Sequence, residues 1–404
     1  MASPILIIGA GISGLALAQG LKKHGIAFEI FEKDAEFHSR SQGYRVRLSD
    51  EGIEALDDVL SPEHFQKLCN TCGQGIQTSN VPSAAFDATT PGAPGEPLFK
   101  PGQGWKGPPG AAQSKVLSAD RSTVREVLRQ GIENIQHGKD FERYEEHGDG
   151  VSIYFRDGTV AHGSSLVAAD GAWSRVRRQL LPDFKLADSE ARLVFGKTVL
   201  SDDFTRAFSS KALSGLILLR SPQQTCLMET MRFDASLPEA PKDYIYWVLF
   251  TRKEQHMPDE QLLHLDHSET IQLARKLTSD YDPSFGALFD PQYEVSGTVF
   301  RVVTCRPSRI PLSTNKFSRI VLIGDCQHPM PPTAALGATI GLADAATVLR
   351  QLLKPENAGN PAAAFRAYED EMRVYAAASL EKSLVGGRAV FGMRPFEQLP
   401  DIDY

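Results

Sequence analysis

Hydrophobic positions along this chain fall into three kinds of pattern. Short continuous apolar runs, namely Ile5–Ile8, Ala27–Phe31, Leu166–Ala169 and Arg319–Ile323, read as strands buried on both faces. Helical spacing appears at Leu15, Leu17, Ala18 and Leu21, then across Asp50–Leu60, Arg121–Arg129, Leu262–Leu277, Gly341–Leu353 and Pro361–Ser383. Between residues 191 and 305 strand-like runs dominate: Leu193–Leu200, Leu216–Leu219, Thr225–Phe233, Tyr244–Thr251 and Tyr293–Val303. Tyr44–Leu48, Asp140–Tyr144 and Val151–Phe155 also read as extended, and Asp157-Gly158 offers a type I′ hairpin turn into Thr159–His162.

Strand, glycine turn, helix and strand follow one another before residue 32, with Gly25 closing the helix, which makes a βαβ unit. The order α/β, mainly β, then α/β again predicts a Rossmann-type domain interrupted by an inserted, mainly β substrate domain and followed by C-terminal helices. The boundaries expected are 1–185 for the first part, 186–305 for the β-rich insertion, 306–354 for the second part and 355–404 for the helical end. Residues 73–114 stand apart. They are rich in Gly, Pro, Ser and Thr, and Pro91–Gly110 is more than half Pro and Gly, too irregular for a core element.

The length of 404 residues allows two domains, and the net charge of -7 argues against a nucleic-acid partner. Five cysteines, an odd number with only Cys69 and Cys72 close together, argue against a disulfide framework and for a reducing, cytoplasmic location. Cys69-Asn-Thr-Cys72 lies late in a helical stretch begun by Ser61-Pro62, without a second pair at zinc spacing. His264 and His267, three apart on the expected helix, would share a face, but no third ligand cluster accompanies them. Ile5–Ile8 is too short for a signal peptide, and no apolar stretch reaches the ~18–20 residues of a membrane span.

Chemistry enters with three glycine-containing turns. In Gly9-Ala10-Gly11-Ile12-Ser13-Gly14 the first glycine permits a tight turn, Gly11 lets backbone approach a pyrophosphate, and Gly14 lets the helix pack on the sheet. The free N–H groups and dipole of the helix then face the phosphates. Glu32, 18 residues past Gly14, ends the second strand where a carboxylate accepts from ribose hydroxyls, with Lys33 beside it. This fingerprint alone does not separate FAD from NAD. The second turn, Asp170-Gly171-Ala-Trp-Ser174-Arg-Val-Arg177, again follows a strand and opens a helix. The third, Gly324-Asp325-Cys-Gln-His328-Pro329, presents an acid able to hold the hydroxyls of a ribityl chain. Pro332 stiffens the next turn, and Gly337 allows close approach to a flat ring.

In order and spacing, the three turns resemble the set of the group A flavoprotein monooxygenases, whose fold is like that of para-hydroxybenzoate hydroxylase. The resemblance covers the N-terminal half and residues 319–345. It implies bound FAD, with Asp325 and Gly324 at the ribityl or ribose part and Asp170 with Gly171 linked to both FAD and NAD(P)H. It implies cofactor-contacting arginines at Arg121, within Ser118–Arg125, and at Arg40. The family often reads Gly-x-Gly-x-Asn where this chain has Ala335-Leu336-Gly337-Ala338-Thr339, so Ala338 and Thr339 meet the flavin differently. The family's phenol-activating residues have no match here.

The activity implied is that of a single-component, NADH- or NADPH-consuming monooxygenase. Oxygen adds to reduced flavin as a C4a-hydroperoxide, and one oxygen atom passes to an aromatic or polycyclic, natural-product-like substrate. Candidate pocket residues in the β-rich part are Phe195, Ile217, Met228, Met231, Tyr246 and Trp247, and Arg192 is a candidate cation for a developing anion. Two other readings use the same scaffold: a reductase or dehydrogenase without oxygen transfer, and a non-enzymatic flavin-binding protein. A halogenase is disfavoured, because Trp105, Trp173 and Trp247 are isolated and no W-x-W-x-I-P occurs.

Overall fold

The computed structural model describes residues 3–37, 44–74, 84–90, 116–213, 215–237, 240–313, 315 and 317–402. Arg40, Trp105 and most of the Gly/Pro-rich stretch lie outside these residues.

The strand Ile5–Ile8 lies at the centre of a five-stranded parallel sheet, ordered Ile320–Leu322, Ser165–Ala168, Ile5–Ile8, Phe28–Phe31 and Ile135–Gln136. Its unbroken apolar run has a direct cause. Ile5 and Ile7 pack under the helices Ile12–Lys23 and Gly337–Leu353, while Leu6 and Ile8 pack with Ile153 and Phe155 of a three-stranded antiparallel ribbon on the opposite face. Each such fully buried Leu or Ile contributes roughly 1.5–3 kcal/mol.

The β-rich part is a larger sheet in the order Val295–Thr304, Leu186–Val199, Tyr244–Arg252, Thr225–Met231, Leu216–Arg220 and Ala84–Asp87, with Asp401–Ile402 pairing on Leu186–Val199. All pairings in it are antiparallel except that of Ala84–Asp87. That strand corrects the reading of 73–114 as too irregular for a core element. Ala85, Phe86 and Ala88 are buried at the sheet edge, where pairing to Leu216–Arg220 supplies the order that local sequence lacks. The sheet has two unlike faces. Val194, Ile217, Met228 and Trp247 point to a face covered by helices, among them His267–Leu277. Leu193, Met231, Tyr244, Tyr246 and partly buried Phe195 point the other way, toward Tyr44.

The single helix expected over Leu262–Leu277 is two, Asp259–Leu262 and His267–Leu277. Asp266 caps the second in a reciprocal capping box with Glu269, which stops the first from continuing. His264 therefore lies between the helices rather than on a common face with His267, whose Nδ1 is 2.7 Å from the Gly297 carbonyl. Among the described residues no group of three or more His, Cys, Asp or Glu is placed to hold a metal, and all five cysteines are free thiols. The helix at the C-terminal end extends to Phe391, and no helix among the described residues is long and apolar enough to cross a membrane.

Candidate functional site

Three neighbouring strands end level with one another. Ile8 pairs with Ala168, and Ala168 pairs with Leu322, so the turns after all three open at one edge of the parallel sheet. This is where ligands bind in open α/β sheets. The turns are also packed into each other. A Cβ on Gly9 would stand 2.4 Å from the Ala169 carbonyl oxygen, and one on Gly14 would stand 2.1 Å from the Gly9 oxygen. Ser13 fills the space that Gly324 and Gly341 leave open, since a Cβ on either would meet its hydroxyl within 2.5 Å. The expected roles of Gly9 and Gly14 concern backbone packing, and the structure places both at such contacts. Gly11 differs: a Cβ there would meet nothing within 4 Å. It is the N-cap of Ile12–Lys23, and no side chain caps those N–H groups. An uncapped helix start facing open space suits a phosphate.

Glu32 is buried, and its carboxylate accepts from Ala10 N–H at 2.8 Å and Asp34 N–H at 3.0 Å. It thus holds the glycine turn from the next strand over. Lys33 is exposed. In the second turn Asp170 Oδ2 accepts from Arg175 N–H at 2.9 Å, while Oδ1 is buried without a hydrogen-bond partner. Gly171 has open space where a Cβ would lie. Arg177 is fully buried and donates to the carbonyls of Cys326 at 2.6 Å and Ala172 at 2.5 Å, tying the second turn to the third.

Asp325 is an exposed residue at that edge, with protein packed densely around its carboxyl. Protein crowded around it pushes its carboxyl above the usual range, and the charges of His328, Arg121 and Arg177 pull part of the way back. The Arg121 charge, at the start of the helix Arg121–Arg129, is thereby brought within reach of Asp325. Arg125, one turn on, donates to the Ala10 carbonyl at 3.1 Å and lies over the Phe37 ring at 4.4 Å. Its contact with the first glycine turn had no separate signal in the sequence beyond its i+4 spacing from Arg121.

The residues expected on the flavin side divide. Gly337 starts the helix Gly337–Leu353, uncapped by any side chain, with Asp325 Oδ1 3.9 Å from where its Cβ would be. Ala338 is half-buried there and Pro332 is exposed. Thr339 is fully buried, and its Oγ1 accepts from Ser49 N–H at 3.2 Å, so its hydroxyl ties this helix to the one at Asp50–Val59. Ala335 takes up the left-handed conformation, φ 54°, at a position where the resembling family often has glycine.

The six pocket candidates separate onto the two faces of the larger sheet. Ile217, Met228 and Trp247 belong to the helix-covered core, where Trp247 Nε1 donates to Thr198 Oγ1 at 3.1 Å and its ring meets Phe289 edge-on. Phe195, Met231 and Tyr246 lie on the other face, and Phe195 packs against Tyr44 with ring centroids 6.0 Å apart. Arg192 is fully buried between two carboxylates, with Nη2 3.0 Å from Asp188 and 2.7 Å from Asp259, and Arg301 joins them 2.8 Å from Asp188. Burial works against its charge, but the two carboxylates hold its pKa above the ordinary value.

A polar group that the sequence did not reveal lies on the Tyr44 side. Glu229, fully buried, is shared by Arg45 at 2.7 Å and Arg47 at 2.9 Å, and it accepts from Ser118 Oγ at 2.9 Å. Burial pushes the Glu229 carboxyl up, but the two cations and the Ser118 bond hold it below the usual value. Tyr244 donates to Asp120 at 3.1 Å, and Lys197 lies 3.9 Å from the same carboxylate.

Comparison with known proteins follows the same residues. The model of the family described as "FAD binding domain" matches residues 2–383. The dual O-methyltransferase/FAD-dependent monooxygenase elcB of Phaeosphaeria nodorum is 31% identical over 98% of this chain and 47% of that protein, so the chain spans about half the length of that relative. The FAD-dependent monooxygenase thnD of Trichoderma harzianum is 30% identical over 86% of this chain and 82% of its own. Among solved structures, a putative FAD containing monooxygenase from Photorhabdus luminescens superposes with TM-score 0.73 at 27% identity, covering 96% of this chain and 99% of that one.

Proposed function

Because the chain belongs to the FAD binding domain family, we propose that it is an FAD-dependent monooxygenase, which transfers one oxygen atom from O2 to an aromatic or polycyclic substrate at the expense of NADH or NADPH. One observation carries the proposal. The three turns open side by side, with Gly11 unobstructed, Asp170 Oδ1 buried without a partner and Asp325 exposed beside Gly337.

These residues fit the cofactor. The uncapped start of Ile12–Lys23 would take the pyrophosphate, Glu32 the adenosine ribose, and Asp325 the ribityl hydroxyls, with Arg121 nearby. The uncapped start of Gly337–Leu353 would supply N–H groups to the ring edge. When bound, FAD supplies hydride acceptance and oxygen activation. The protein's own part is positioning and water exclusion. The face bearing Phe195, Met231 and Tyr246 offers an apolar wall for the substrate, and residues 186–305 would form the substrate domain. Arg192, sealed between Asp188 and Asp259, serves that sheet as a brace.

The test is direct. Purified protein should be yellow or take up FAD. Aromatic candidates should then accelerate NADH- or NADPH-driven bleaching of the flavin, with oxygen uptake and one atom of labelled oxygen in the product. Reduction without label in any product would point to a reductase. Failure of both nicotinamides to reduce the flavin, ligands included, would point to a non-enzymatic flavin binder.

A further inference from the structure

The long helix Pro361–Phe391 turns one face to the rest of the protein, where Phe365, Tyr368, Met372, Ala376, Leu380 and Leu384 are all buried. A helix packed in this way carries polar residues on its opposite face. This one departs from the rule. Val374 is 69% exposed and Val385 is 48% exposed, and Ala378 and Ala389 are exposed as well. With 3.6 residues per turn these four positions fall within about 60° of one another, on the side away from the buried set. Valine is also a weak helix former, because its branched side chain loses rotamer freedom against the preceding turn. Two valines on the solvent side thus cost helix propensity and expose apolar surface, and a covering partner would offset both.

The order of residues along the row says which partner fits. Between the two valine–alanine pairs stand Glu381 and Lys382, both exposed. Lys382 lies within electrostatic reach of Glu51, and Glu381 has no ion-pair partner among the described residues. Laid against itself in reverse, the row matches at every level. Val374 meets the partner's Ala389, Ala378 meets the partner's Val385, and Glu381 meets the partner's Lys382. Two-fold symmetry repeats each contact, so a large side chain faces a small one and an acid faces a base on both sides of the axis.

We propose that this outer face of Pro361–Phe391 pairs antiparallel with the same helix of a second copy of the chain, the two-fold axis passing between Glu381 and Lys382. From Val374 to Ala389 the row is about 22 Å long, on a helix roughly 10 Å across. That is less surface than the roughly 800 Å² per partner of a standard interface. Association is therefore reversible, with a dissociation constant on the order of micromolar. The pairing does not depend on the oxygen chemistry.

Sedimentation velocity of the FAD-loaded chain, run across the micromolar range, tests it. The wild type should pass from monomer to dimer as concentration rises. Val374→Glu should weaken the dimer about tenfold or more, with the thermal midpoint and flavin absorption of the wild type. Glu381→Lys sets like charges across the axis and should weaken it similarly, and adding Lys382→Glu should restore it. The charge swap decides the matter even where Val374→Glu lowers the midpoint. A chain that stays monomeric throughout, a dimer indifferent to Val374→Glu, or a double variant no tighter than Glu381→Lys overturns the pairing.

Discussion

The imidazole Nε2 of His328 lies 2.7 Å from Asp344 Oδ2, and both side chains are shut away from solvent. The same carboxylate accepts from Gly324 N–H at 2.7 Å and from Tyr375 OH at 2.7 Å. One buried acid on the helix Gly337–Leu353 thus holds the third glycine turn from behind. Burial alone would lower the His328 pKa, but the charge and hydrogen bond of Asp344, with Asp325 adding to them, leave it raised. A raised histidine pKa means that the folded state binds the proton more tightly. The stability it adds is complete below the unfolded value of about 6.5 and is lost as pH rises through the folded value. Thermal unfolding of the wild type and His328→Gln should therefore show a wild-type advantage that is full in mild acid and shrinks in alkali. An advantage that grows with pH would contradict this.

Gly11 and Gly14 should respond differently to alanine. A Cβ at Gly14 would sit 2.1 Å from the Gly9 oxygen, and backbone cannot move aside cheaply. Gly14→Ala should cost roughly 1–3 kcal/mol in the flavin-free protein. Gly11→Ala meets nothing within 4 Å and should leave that stability unchanged while weakening FAD binding. Denaturant unfolding of apoprotein, paired with FAD fluorescence titration, separates the two effects.

Ala335 adopts φ 54°, a conformation that crowds its Cβ. Left-handed geometry costs a non-glycine residue about 1–2 kcal/mol, whereas glycine gives back roughly 0.4–1 kcal/mol through a freer unfolded chain. Ala335→Gly should thus stabilise by up to about 1.5 kcal/mol, and Ala335→Val should destabilise. Shifts in the denaturant midpoint of these two variants in opposite directions would bear this out, and a less stable glycine variant would refute it.

Arg192 pairs with Asp188 and Asp259, whose side chains are 5% and 15% exposed. Replacing it with alanine leaves Arg301 as the remaining cation for two largely buried carboxylates, at a cost of up to about 3–5 kcal/mol. A group acting only on the reacting atoms would leave the unfolding midpoint where it was. Equilibrium unfolding of Arg192→Ala therefore decides between brace and catalyst without any substrate in hand.

Much of the candidate cofactor side was legible in the chain. Gly9–Gly14, Asp170-Gly171 and Gly324-Asp325 each follow a short apolar run, and each is a local requirement for a turn at a strand end. Three such turns, written far apart, are brought level by the parallel register of Ile8, Ala168 and Leu322. The candidate substrate side was much less legible. Phe195 and Tyr246 share an apolar character with Ile217 and Trp247, yet the two pairs lie on opposite faces. Arg45 and Arg47 gave no sign of their partner, because Glu229 lies some 180 residues away in sequence.

Local sequence by itself determined where strands run, where the chain turns on glycine and which acids stand at strand ends, because these depend on backbone sterics and on a residue's nearest neighbours. Tertiary structure alone decided which face of each strand of the larger sheet the helices cover, that Ala84–Asp87 joins a sheet, and that Arg192 is sealed while Tyr44 keeps a free hydroxyl. Side chains alternate along a strand, so face and partner are set by what packs across the sheet, and that information is spread over residues far apart in the chain.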